Sequence, residues 1–158
     1  MFNFFNQKKD LILVAPIKGR IIDIADVPDE AFSQGMVGDG VAIEVLDNVV
    51  VAPCDGEVVF IPKSLHAIAL QTPGGIEILI HVGIDTVELA GKGFTALVKI
   101  GDKVKTGDAL LTFDPSYIQS QGKSLLSPVV LTNMAQRVGK VNKYYAASDG
   151  MIMRVTPK

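Results

Sequence analysis

The sequence predicts an all-β protein, an antiparallel sandwich or barrel, on three observations. Val, Ile and Leu recur in short runs cut by Gly, Pro, Asp and Lys, the spacing of short strands joined by turns. Apolar positions almost nowhere repeat with the period of a helix. A unit of Val-Ala-Pro-x-x-Gly followed by alternating apolar positions occurs twice, over 13–24 and again over 50–61.

In chain order, 12–15 reads as a strand, with Pro16 leading a turn, Gly19 free to take φ > 0, and 20–23 the next strand. Residues 29–34 supply one helical turn. Strands follow at 41–45, 49–52 and 56–61, the last two being the second copy of the repeat. Two copies indicate a structural duplication, since stacked solenoids need three or more units. Strands 65–71 and 76–82 form a hairpin around Thr72-Pro73-Gly74-Gly75. Segment 101–111 reads as two tight Asp/Gly turns around a short strand, similar to the hinge of lipoyl and biotinyl carrier domains. No Lys stands at the tip of the one clear hairpin, so a swinging arm is rejected. Residues 109–113 form a strand, and Asp114 as N-cap with Pro115 at the first helical position opens a turn over 115–121. Strands at 129–131 and 151–156 complete the chain.

Hydrophobic residues make up 48% and charged residues 20% of the 158, a composition that predicts a single globular domain with no disordered tail of any length. A net charge of −2 with both signs dispersed argues against a nucleic-acid footprint, so function must come from a local site. The single cysteine, Cys54, excludes an internal disulfide and suits a reducing compartment. Met1-Phe2-Asn3-Phe4-Phe5 before Lys8 and Lys9 has the wrong charge order for a signal peptide, and no apolar run nears the roughly 20 residues of a membrane span. These features predict a cytoplasmic protein that does not insert into membranes.

The only two histidines, His66 and His81, fall on the two arms of the hairpin. With the turn centred between Pro73 and Gly74, cross-strand partners have numbers summing to 147, so His66 faces His81 and Ile68 faces Leu79. Their Cβ atoms would stand about 4.5–5.5 Å apart. A three-residue loop would break that pairing. A single His in a half-buried strand is more often structural than catalytic, but two meeting across a hairpin make a site. Adjacent imidazoles resist double protonation, so one is neutral near pH 7 and offers a lone pair. Attack on phosphorus and zinc binding both fit that lone pair.

Gly75-Ile76-Glu77-Ile78-Leu79-Ile80-His81-Val82-Gly83-Ile84-Asp85-Thr86-Val87-Glu88-Leu89, continuing to Gly91-Lys92-Gly93-Phe94, closely resembles the phosphorylation-site signature of the glucose-type enzyme IIA proteins of the bacterial sugar phosphotransferase system. The likeness extends through Val14-Ala15-Pro16, Asp26-Val27-Pro28-Asp29 with Phe32, Val37-Gly38-Asp39-Gly40, His66-Ala67 and Ser127-Pro128-Val129-Val130. It runs from about Leu11 to the C-terminus and implies a single IIA domain over 11–158 behind a flexible N-terminal segment, 1–10, in a free-standing IIA protein without fused membrane or IIB domains.

The resemblance implies the family's antiparallel sandwich, called a duplicated hybrid motif, and a phosphocarrier. Such a protein accepts phosphate from the phosphohistidine of HPr and passes it to a Cys of a sugar-specific IIB domain. His81 aligns with the phosphorylated histidine, phosphorylated on Nε2 as in the family, and His66 with its partner. Ser64 falls where many members carry a Thr whose hydroxyl bonds the partner imidazole. Asp29 and Asp85 match the acidic pair flanking the site and would meet basic residues of a docking partner. Phe32, Val37, Leu79 and Val87 are candidates for an apolar docking ring, each of which could equally be core. Backbone N–H groups near Gly83 and Asp85 are candidate donors to the phosphoryl group. Pro62 departs from the aromatic that relatives often carry there.

Two rival readings follow from the same residues. A zinc endopeptidase of the lysostaphin type needs three protein ligands and usually another catalytic His, which this chain is short of. A weak zinc site at His66 and His81, completed by a partner's carboxylate, stays compatible with the family, which requires no cofactor. The other rival is a regulatory module that binds other proteins according to its phosphorylation state.

Overall fold

The computed structural model describes residues 9–158, and all structural statements concern these. The strands are β1 (Leu11–Val14), β2 (Gly19–Asp23), β3 (Asp39–Val45), β4 (Val49–Val51), β5 (Gly56–Phe60), β6 (Ala67–Gln71), β7 (Glu77–His81), β8 (Phe94–Ala96), β9 (Lys103–Val104), β10 (Ala109–Phe113), β11 (Ser127–Leu131), β12 (Val138–Lys143) and β13 (Met151–Pro157). Three short helices, α1 (Glu30–Ser33), α2 (Pro115–Ser120) and α3 (Met134–Arg137), and 3-10 turns at Ile24–Asp26 and Thr86–Leu89 complete the elements. The fold is an antiparallel β-sandwich, as the sequence predicts. No helix among the described residues is long and apolar enough to cross a membrane.

Seven strands form the largest sheet, in the order β2-β3-β11-β7-β6-β5-β9; β1-β13-β12 and β4-β10-β8 form two smaller ones. Period-2 alternation gives the seven-stranded sheet two apolar faces. Val41, Ile43, Ile68, Leu70, Ile78, Ile80, Val129 and Leu131 join the main core with the other sheets. On the opposite face Ala42 and Val130, with Ile22 and Leu79 packed beside them, make a second cluster under Ile24, Val27 and Phe32. His81 ends β7 on this second face, one residue after the buried Ile80.

The duplication is visible in hydrogen bonds between the two Val-Ala-Pro turns. Val14 N–H donates to the Pro53 carbonyl at 3.0 Å, and Val51 N–H donates to the Pro16 carbonyl at 2.8 Å. The expectation that Gly19 and Gly56 serve φ > 0 is corrected, because neither adopts it. Both allow close backbone approach: a Cβ on Gly19 would lie 2.1 Å from the Glu44 carbonyl oxygen, and one on Gly56 2.8 Å from that of Gln71.

Both helical turns form as expected. Asp29 Oδ1 accepts from Ala31 N–H at 2.9 Å and caps α1; Asp114 Oδ1 accepts from Tyr117 N–H at 3.1 Å and caps α2. In the Gly101–Asp108 segment, Asp102 and Asp108 accept from the N–H groups of Lys99 and Lys105, closing the two turns around β9. Strands β8 and β12 go beyond the sequence reading: one is three residues long, and the other, Val-Gly-Lys-Val-Asn-Lys, is a half-exposed edge without clear alternation. Of the expected flexible segment 1–10, residues 1–8 lie outside the described residues, while Asp10 pairs with Arg154 at 2.7 Å.

The hairpin register is also corrected. Ala67, not His66, faces His81, and Ile68 pairs with Ile80, so partner numbers sum to 148. Thr72 N–H donates to the Ile76 carbonyl across a three-residue loop, Pro73-Gly74-Gly75, in which Gly75 takes φ +88°. A third loop residue with a glycine in the left-handed region moves the pairing by one.

Candidate active site

In the true register an unbroken strand would place His66 opposite Val82, on the core side with Ile68 and Leu70. The backbone leaves the strand just there. Leu65 has φ +57°, His66 sits in a bend, and β6 begins only at Ala67. The His66 ring thereby meets the His81 ring edge to face, with centroids 4.7 Å apart and planes at 78°. The expected meeting of the histidines holds, by a route other than the expected pairing.

Both rings are anchored at Nδ1. Ser64 Oγ lies 2.7 Å from His66 Nδ1, presented by a turn in which Leu65 N–H donates to the Pro62 carbonyl. His81 Nδ1 lies 2.7 Å from the Gly83 carbonyl oxygen. A carbonyl only accepts, so His81 Nδ1 carries the proton and Nε2 of the neutral ring holds the lone pair. Neither Nε2 has a hydrogen-bond partner among the described residues, and no fully buried side-chain N or O there lacks one. Both Nε2 atoms therefore reach solvent, although His66 is only 8% exposed.

Burial holds both rings neutral. His66 is pushed down from 6.5 to about 4, chiefly by desolvation and then by the neighbouring His81. His81 is also lowered by desolvation, opposed by its bond to Gly83 and by the charges of Asp29 and Asp85. Because the unfolded chain protonates His66 near 6.5 and the fold resists protonation until about 4, stability is lost as pH falls through that interval. We expect a decline of no more than about 3 kcal/mol from this residue. Urea unfolding at stepped pH should show that acid slope, and His66→Gln should reduce it, leaving the part that His81 contributes.

The segment after His81 is held by buried hydroxyls. Pairing of β7 with β11 stops at the Val129–Ile80 pair, so the chain is free to turn beyond His81. Gly83 takes φ +74°, and a Cβ there would lie 2.6 Å from the Ser124 carbonyl oxygen. Ser127 Oγ accepts from Gly83 N–H at 3.0 Å and donates to the Leu125 carbonyl at 2.9 Å. Thr86 Oγ1 donates to the Val82 carbonyl at 2.5 Å. The expectation that Gly83 N–H is a free donor is thus corrected: Ser127 occupies it, and Gly83 contributes its carbonyl. Ser127→Ala should orphan two backbone groups and cost about 1–3 kcal/mol in denaturant unfolding.

The remaining residues singled out in the sequence surround this pair. Asp29 is half-buried and caps α1, whereas Asp85 is exposed, left-handed at φ +59°, with no capping bond from its side chain. Phe32 lies edge-on to His81, centroids 5.1 Å apart, and is only 6% exposed, so it walls the histidine more than it faces solvent. Val37 and Leu79 are half-buried against the second cluster, while Val87 is 54% exposed. Met36, 74% exposed on the segment that follows α1, was not anticipated because nothing in the sequence distinguishes it from core methionines. Ser127 did carry a signal, a lone hydroxyl leading the apolar strand Ser-Pro-Val-Val-Leu.

Among the described residues no three His, Cys, Asp or Glu side chains are grouped to hold a metal ion. The two imidazoles give two of the four ligands a resident tetrahedral zinc needs, so the residues do not fit one. Cys54 is buried with its thiol pushed up to about 12 by desolvation, far from thiolate chemistry.

A model of the family described as phosphoenolpyruvate-dependent sugar phosphotransferase system, EIIA 1, matches residues 11–137. The chain belongs to this EIIA family. It is 50% identical over 125 residues to a glucose-specific EIIA component of Halalkalibacterium halodurans, covering 79% of this chain and 72% of that protein. A glucose-specific EIIA component of Bacillus cereus is 42% identical, with 100% of this chain and 98% of that protein covered. The solved structure of glucose permease IIA from Mycoplasma capricolum superposes with a TM-score of 0.83 at 35% identity, over 93% of this chain and 96% of that one. In other relatives the EIIA part is fused to EIIB and EIIC: the chain spans 20% of the glucosamine-specific EIICBA component of Bacillus subtilis, at 50% identity. This EIIA chain is a phosphocarrier of the sugar phosphotransferase system, and the zinc endopeptidase reading is set aside.

Proposed function

We propose that His81 Nε2 is the atom that carries the phosphoryl group, receiving it from the phosphohistidine of HPr and delivering it to a Cys of a IIB domain serving glucose or a related sugar, in the cytoplasm. The observation that carries this reading is the bond from His81 Nδ1–H to the Gly83 carbonyl, which leaves Nε2 as the nucleophile beside His66.

Phosphoryl transfer through a loose transition state asks for in-line positioning and for charge stabilisation at the equatorial oxygens. Nε2 attacks phosphorus as the donor's N–P bond breaks, and Nδ1–H stays on the Gly83 carbonyl throughout. If the Ser64 hydroxyl donates to His66 Nδ1, His66 Nε2 carries the proton and can donate it to a phosphoryl oxygen. In the second step the N–P bond breaks as an S–P bond forms, and His81 leaves as the neutral ring it began as. Asp29 and Asp85 repel the dianion and offer charges to basic groups of a docking protein. The fused EIIB and EIIC parts of relatives support a IIB acceptor.

Incubation with phosphoenolpyruvate, enzyme I and HPr should place one acid-labile, base-stable phosphate on each chain. Subsequent loss of that phosphate to one member of a panel of IIB domains would name the sugar. A base-labile ester, or no incorporation, would overturn the reading.

A further inference from the structure

Lys143 stands outside the residues matched to the family and far along the chain from either histidine. Its ammonium sits 2.8 Å from Asp23 Oδ1 and 2.7 Å from Asp39 Oδ1, with the side chain 18% exposed. Asp23 is the last residue of β2 and Asp39 the first of β3. Everything between them, 24–38, is one excursion that leaves the sheet, crosses its outer face and returns. That excursion carries Ile24, Val27 and Phe32 into the second cluster, Phe32 against His81, Asp29 close enough to act on it, and Met36 into solvent.

We propose that Lys143 is a positioning residue that clasps both ends of segment 24–38, so that the β12 edge of the three-stranded sheet sets the wall beside His81 and the surface a phosphoryl donor meets. The inference rests on His81 as the phosphoryl acceptor. It supplies what the second cluster lacks. The apolar cluster under 24–38 is the smaller of the two, and a short helix of one turn has little stability of its own. Fixing the ends of a loop restricts the whole of it. Two carboxylate oxygens within 2.8 and 2.7 Å of one nitrogen are themselves no more than 5.5 Å apart. Removing the ammonium leaves like charges facing each other at the base of the excursion, so the effect is repulsion as well as release. Lys143 touches neither histidine, and the chemistry at Nε2 stays with Gly83 and His66.

The test compares the intact chain with Lys143→Met and with Asp23→Asn, which keeps Lys143 on Asp39. Three readouts are needed: kcat and KM for HPr as donor, hydrogen exchange along the backbone, and the His81 ring resonances next to Phe32. For Lys143→Met we expect KM to rise about tenfold with kcat within about twofold. Amide exchange should accelerate over 24–38 and not at β6, β7 or Gly83, and the His81 ring signals should move. Asp23→Asn should shift all three in the same sense by less, and it decides the matter if Lys143→Met does not fold. Unchanged KM and exchange over 24–38 in either folded variant would overturn the clasp, as would losses spread evenly over the protein. If the unaltered chain takes no phosphate on His81, the acceptor assignment fails, while exchange and ring signals still report on Lys143.

Discussion

Replacing His81 with Ala is expected to eliminate phosphate incorporation from HPr, to below about one part in a thousand of the parent rate, while leaving the fold in place. The size of the effect follows from the site. His81 is the only imidazole whose Nδ1 proton is fixed by a carbonyl, at Gly83, so its Nε2 is committed to the lone-pair role. His66 is held by a hydroxyl that can either donate or accept, which commits it to neither role. The one thiol, Cys54, is buried and resists ionisation until about 12. A nucleophile deleted from such a site has no substitute. Because His81 is the last residue of its strand, its loss removes the ring contacts with Phe32 and His66 and the bond to the Gly83 carbonyl but leaves the backbone pairing with Ala67 in place. Radiolabelled phosphoenolpyruvate and a thermal melt, run on the same preparation, check both halves of the prediction.

His66→Gln should separate the two half-reactions. In the unphosphorylated chain His66 is neutral, lowered to about 4 by burial and by His81, and it helps the incoming phosphoryl group only as that group arrives. In the phosphorylated chain proposed above, His66 would bond a phosphoryl oxygen. The division of labour requires that this bond strengthen as the N–P bond breaks toward the IIB thiolate, because only a bond stronger in the transition state than in the phosphorylated chain speeds onward transfer. A hydrogen bond to a charged group is worth about 1.5–3 kcal/mol, or roughly ten- to a hundredfold in rate. We expect that loss in transfer to the IIB cysteine and a change under about threefold in acceptance from HPr. Rapid-quench measurement of the two steps separately is the check. Equal losses in both would contradict the division of labour.

Much of this was legible from residues alone, for reasons the structure makes plain. Asp114-Pro115 and Asp29 announce their helices because capping is local chemistry, and the Val-Ala-Pro repeat announces a duplication whose two turns exchange backbone hydrogen bonds. The hairpin was legible as a hairpin, but its register depended on whether Gly75 entered the left-handed region, and nothing in Pro-Gly-Gly decides that. A one-residue shift ought to have sent His66 to the core face. It does not, because Leu65 takes φ +57°, a conformation disfavoured for leucine that no propensity would have suggested. Such strain persists where the surroundings over-determine it, and here both non-glycine outliers nearest the site, Leu65 and Asp85, flank the two histidines. Gly83 was legible as a site residue but in the wrong role, since its amide is taken by Ser127, 44 residues away, and only its carbonyl is left for His81. Contacts between distant strands are what a linear reading cannot supply. The Lys143 clasp is of the same kind, with partners 120 and 104 residues distant.

The most direct test of the phosphocarrier site is the position of the phosphorus itself. The chain, labelled with nitrogen-15 in its histidines and phosphorylated through HPr, should be read by two-bond proton–nitrogen correlation and phosphorus coupling. The site described here predicts coupling to Nε2 of His81, with Nδ1 of the same ring still protonated and slow to exchange against the Gly83 carbonyl. Coupling to Nδ1, or to either nitrogen of His66, would contradict it.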